Sequence, residues 1–168
     1  MFNSTIGLVH LSSALLAMLT GAIVLLNTKG TLFHKRMGYV YVASMLVLNA
    51  TAFLIYRLFG TFGLFHGFAI VSLVSILGGF VPVLFRRRIK DWLEFHYYFM
   101  NWSVVGLYAA FWSETFTRTL PMSQFWPVVA GATAATAFAG SYLIRRNAAR
   151  FLKKETGKKE TLGVHSNA

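Results

Sequence analysis

Apolar residues fill five long stretches of the chain, at 6–26, 39–56, 64–85, 92–112 and 125–144, and charged residues fall almost entirely between and after them. A hydrocarbon core of about 30 Å takes roughly 20 helical residues to cross, so each stretch predicts a membrane span; the second is the shortest and extends back through Phe33. Stretches such as Ile70 to Leu77 show no in/out alternation, and polar residues are too sparse for a wet lumen, which sets a β-barrel aside. Helices satisfy their own backbone hydrogen bonds in lipid. The predicted fold class is all-α: an integral membrane helical bundle with a four-helix, histidine-bearing core and a fifth helix, over residues 1–146. A basic tail at 147–168 is expected to stay helical for a turn or two and then lose order.

Composition agrees: of 168 residues, 56% are hydrophobic and 12% charged, with a mean hydropathy of +0.57. There is no cysteine, hence no disulfide and no thiolate metal site.

Of the 16 lysines and arginines, all but Arg57 and Arg118 lie after the first span (Lys29, Lys35, Arg36), after the third (Arg86, Arg87, Arg88, Lys90) or in the tail. The positive-inside rule then makes those segments cytoplasmic and the N-terminus external. The net charge of +11 is a topology signal first. It does not indicate nucleic acid, because the tail has no aromatic ladder or recognition motif; contact with anionic head groups, worth about 1 kcal/mol per cation near the surface, is the better use. No basic n-region precedes Ile6 and no small-x-small site follows the first span, so it reads as retained.

Four of the five histidines fall one to a span. His10 and His66 lie near the outer side of the first and third spans, and His34 and His96 near the cytoplasmic side of the second and fourth. In an antiparallel bundle wound in sequence order, spans one and three are diagonal, as are two and four, so each pair faces across the interior. A neutral imidazole is a good haem-iron ligand that buries no charge. The expectation is two haems b, with His10 and His66 as axial ligands of the outer iron and His34 and His96 of the inner, on the order of 20 Å apart at 1.5 Å per residue. With both axial positions filled, such irons suit electron transfer, and the reading is a possible oxidoreductase carrying electrons across the bilayer.

Gly7, Ser13, Gly38, Gly63 and Gly67 sit beside these histidines, where backbone can approach a macrocycle; glycine is also ordinary at membrane helix contacts. Lys35 and Arg36, the Arg86 to Lys90 cluster and, outside, Arg57 are candidates to pair with haem propionates, although they act first as topology anchors. His34, beside two cations at the loop, makes the inner site the less secure one, and no acidic residue is seen to accompany the outer pair. His165 is read as incidental.

The main alternative is a zinc or copper site, or ion transport along the bundle, with Asp91, Glu94, His96 and His34 as donors. The spacings of Asp91 and Glu94 from His96 do not share a helix face. A third reading makes the histidines interhelical hydrogen-bonding groups. No Ser-His-Asp grouping, phosphate loop or catalytic carboxylate pair is present. In the fifth span Ala132, Thr136 and Gly140, with Gly131, Ala135 and Ala139 on the adjacent row, predict close helix packing, as a brace for the core or as a homodimer or subunit contact.

His10, the segment Lys29-Gly-Thr-Leu-Phe-His34-Lys-Arg-Met-Gly38-Tyr-Val-Tyr41, Phe65-His66 and His96-Tyr-Tyr-Phe-Met100 resemble a bacterial family of uncharacterised predicted membrane proteins, a domain of unknown function, over about residues 7 to 114. That resemblance implies the fold and singles out the same histidines without naming a reaction. More distantly, the alternating histidines are similar to the ascorbate-reducible di-haem transmembrane cytochromes b, whose four core helices bind one haem near each face. The ascorbate loop motifs are not recognisable, and there are five spans instead of six. The family resemblance implies a bacterial inner membrane as the location; the sequence names neither electron donor nor acceptor, for which quinone or a redox protein are candidates.

Overall fold

A computed structural model describes residues 5–55 and 60–165, with side chains as far as 152 except 150. Among the described residues are five α-helices: α1 Thr5–Leu26, α2 Leu32–Ala52, α3 Leu64–Leu84, α4 Trp92–Thr119 and α5 Phe125–His165, the last entered through a 3-10 turn at Met122–Gln124. No strand occurs among the described residues. Three stretches, α1, α3 and Met122–Ala149, are long and apolar enough to cross a membrane by length and composition. The helices α2 and α4 mix in more polar residues, including Asn49, Thr51, Asn101 and Glu114.

Polar residues survive in these helices because most bond back to their own backbone. Thr20, Ser44, Ser75 and Thr136 each donate to the carbonyl four residues earlier, at 2.7–2.8 Å, so these four hydroxyls have a partner in an apolar setting. The turn into α2 is made by Gly30 at φ 79, a left-handed conformation that side-chain-bearing residues rarely adopt.

Helix α1 packs on α2, α2 on α3, α3 on α4, and α4 returns to α1. The four wind in sequence order, leaving α1 diagonal to α3 and α2 diagonal to α4. At mid-height Ala17, Tyr41, Met45, Ile76, Met100, Val104 and Leu107 form the core. There Tyr41 Oη lies 2.8 Å from Ser103 Oγ, closing the α2–α4 diagonal. This plug separates a basic end, with the α1–α2 and α3–α4 turns, from an opposite end.

Helix α5 lies outside the four, on α4. Gly140 is buried there, and a Cβ at this position would overlap the Val105 side chain. Of the two small-residue rows, that of Ala132, Thr136 and Gly140 is the one turned to α4, whereas Gly131, Ala135 and Ala139 are exposed. Near the basic end the Tyr97 hydroxyl donates to the Ile144 carbonyl at 2.9 Å, and the Tyr97 ring stacks on Phe151 at 5.6 Å.

Several boundaries differ from expectation. The second helix starts at Leu32, within a residue of its expected extension through Phe33, which puts His34 in its first turn, and it ends at Ala52, before the expected residue 56. The fourth continues to Thr119, and the fifth continues to His165 instead of ending soon after residue 146. Tyr56 and Arg57 lie outside the described residues.

Candidate functional site

At the basic end, Thr31 caps α2, its hydroxyl oxygen accepting the His34 backbone N–H at 3.1 Å. That start places His34 on the interior side, with its ring 6.3 Å from that of His96 and the planes at 84°. Glycine at 79 lets α4 come close to α3, since a Cβ there would stand 2.7 Å from Met100 Cγ. The close approach lets His96 Nδ1 reach the Gly79 carbonyl at 2.9 Å. A carbonyl can only accept, so Nδ1 carries the proton and the lone pair of His96 is on Nε2. His34 Nδ1 is buried with no hydrogen-bond partner among the described residues.

Two imidazoles bound trans to one metal, with bonds of about 2.0 Å, have ring centres roughly 6 Å apart. An iron held by both imidazoles would need a separation like that of His34 and His96, with one nitrogen of each ring turned toward it. A Cβ on Gly38, one turn beyond His34, would meet nothing within 4 Å.

The cation nearest this pair in effect is Lys29, whose charge acts on both imidazoles. Its Nζ donates to the Val24 and Leu25 carbonyls at 2.6 Å, capping the C-terminus of α1; burial holds its pKa below the usual lysine value. Lys35, Arg36 and the Arg86 to Arg88 run are exposed, as anchors would be. Asp91 and Glu94 are exposed too, and among the described residues no three histidine, aspartate or glutamate side chains gather as a metal site. The alternative donor set of Asp91, Glu94, His96 and His34 is not gathered among the described residues.

At the opposite end lies a cavity of about 400 Å³ lined by all five helices, with His10 from α1 and His66 from α3 both on its wall. The two histidines are brought to one space but are bonded differently from the first pair. His10 Nδ1 is 3.0 Å from Thr51 Oγ1. The Thr51 hydroxyl proton is committed to the Val47 and Leu48 carbonyls at 2.8 and 2.9 Å, so His10 Nδ1–H is the donor. Its Nε2 faces Glu114 Oε2 at 3.8 Å, and Glu114 also pairs with Arg118. His66, buried, stacks on Phe62 at 5.0 Å. It accepts the Gly63 N–H on Nδ1 at 3.1 Å, relieving an otherwise unbonded donor at the start of α3; its ring proton is therefore on Nε2.

An iron between His10 and His66 would need a lone pair on the inward nitrogen of each. His66 offers a proton there, and Glu114 stands at Nε2 of His10. As they stand, the two outer rings are engaged by Gly63 and Glu114. The expectation that no acid accompanies the outer pair is overturned. Glu114 was missed because the apolar run ends at Trp112, which put it in a loop. Its spacing of four from Arg118 on a helix was the available signal.

A family model described as "Predicted membrane protein (DUF2306)" matches residues 7–151. No curated protein matches, and no solved structure does.

Proposed function

The chain belongs to this family of predicted membrane proteins, and we propose that it is a membrane electron carrier holding a b-type haem between His34 and His96. The observation that carries the reading is the 6.3 Å separation of the two rings across the α2–α4 diagonal. The His96 bond to the Gly79 carbonyl supports it by keeping that ring in the ligating tautomer. A haem with two imidazole ligands has no open position and exchanges single electrons.

In this reading all five helices span the bilayer, and the basic end faces the cytoplasm by the positive-inside rule. His34 and His96 supply neutral ligands, Lys29 supplies a fixed positive charge beside them, and the Tyr41–Ser103 plug keeps water from passing between the two ends. A second haem, between His10 and His66, requires His66 to release Gly63 and His10 to turn from Glu114. The electron-carrying reading therefore rests on the basic end.

The test is haem content and optical spectrum of the full chain purified from cells supplied with haem. One haem per chain, with Soret and α bands lost in both His34→Ala and His96→Ala, is the expected result. A folded, colourless protein, or bands unaffected by these changes, contradicts it.

A further inference from the structure

We infer that the cavity at the opposite end is a binding site for a lipid-soluble quinone-type ring, a flat neutral body with an oxygen at each end. The inference deepens the electron-carrier reading by naming the chemical class of its membrane-phase partner, and rests on that reading for its role although not for the binding itself.

Four features select this class. The cavity, at about 400 Å³, has small side chains along its walls, among them Gly7, Ala14, Ala52 and Ala110, leaving room for a flat body. Its polar groups are complementary to a ring with both acceptor and donor forms. His66 Nε2–H can donate to a carbonyl oxygen, and the His10–Glu114 pair can accept a hydroxyl proton in a hydrogen bond. Because α1 and α3 are diagonal, His10 and His66 face one another across the space.

Charge argues for a neutral ligand. Among the described residues the cation on the cavity wall, Arg118, is already paired with Glu114, so none of them offers an anion an uncompensated cation, and a purely aliphatic chain would cover His10 and Glu114 without bonding to them. The cavity also has a side opening: Val71 of α3 and Trp102 and Gly106 of α4 line it and are exposed on the bundle surface. An apolar tail on the ring would leave there, into lipid.

Trp102 supplies the readout, since quinones quench indole fluorescence on contact. The experiment titrates ubiquinone-1 and menadione into the full-length protein in nanodiscs. Saturable quenching is expected, at least tenfold weaker in Gly106→Phe, which blocks the opening at a position where an added Cβ meets nothing within 4 Å. Glu114→Gln, which keeps volume, should also weaken it several-fold while leaving the haem spectrum unchanged. Saturable quenching in His34→Ala, which lacks haem, supports the site even where the electron-carrier reading fails. The inference is overturned by quenching that rises without saturation and equally in wild type and Gly106→Phe, as for simple partition into lipid. It is also overturned by two haems per chain with one lost in Gly106→Phe, which would make the cavity a haem pocket.

Discussion

Tyr41 and Ser103 share a buried 2.8 Å hydrogen bond between diagonal helices, and its direction can be assigned. Ser103 Oγ donates to the Met100 carbonyl at 2.8 Å, so Tyr41 is the donor in the pair. The bond closes the floor of the cavity, which includes Met45, Ser103 and Leu107, and keeps the two histidine levels apart.

Removing either partner should therefore be unequal. Tyr41→Phe loses one hydrogen bond, about 1 kcal/mol, whereas Ser103→Ala leaves the Tyr41 hydroxyl buried and unbonded, about 1–3 kcal/mol. Thermal unfolding in detergent should rank Ser103→Ala below Tyr41→Phe, and Tyr41→Phe below wild type. The reverse order would mean that the Tyr41 hydroxyl finds another acceptor when Ser103 is lost.

Lys29 offers an electrostatic prediction. A cation beside a redox centre favours the state with the extra electron, so Lys29→Met should lower the midpoint potential of a haem at His34 and His96 by tens of millivolts. Spectroelectrochemical titration measures this, and an unchanged or raised potential would show that the ammonium does not act on the site.

The contact between α4 and α5 is tested by two glycines. Gly140→Leu forces a side chain into Val105 and should destabilise by about 1–3 kcal/mol, with partial recovery in the double variant with Val105→Ala. Gly131→Ala, on the exposed row where an added Cβ meets nothing within 4 Å, should be neutral or stabilising by up to about 1 kcal/mol. Unfolding midpoints of the three variants decide it.

How much of this was legible beforehand depended on the kind of signal. The helices α1 and α3 are plain in the sequence because their apolar runs are unbroken, and both ends agree to within a residue. The diagonal placement of the histidines followed from alternation of direction, which the winding of the four helices supports. The start of α4 was found and that of α2 came within a residue through its extension to Phe33, but the C-terminal end of α4 was not found by apolarity, and both the start of α2 and the end of α4 are set by side-chain bonds. Thr31 caps one, and Thr117, bonded to the Ser113 carbonyl at 2.8 Å, together with the Glu114–Arg118 pair sustains the other. Which nitrogen of each histidine carries the proton depends on Gly79, Gly63 and Thr51 being brought alongside by other turns or helices. No pattern of spacing along the chain reports that.

A reduced-minus-oxidised absorption spectrum of the purified full-length protein, with haem counted per chain, is the most direct measurement. A reducible α band at one haem per chain, absent in His34→Ala and in His96→Ala and retained in His66→Ala, is the predicted result. A protein without that band, or a band that survives loss of His34 or His96 and disappears with His66, would contradict it.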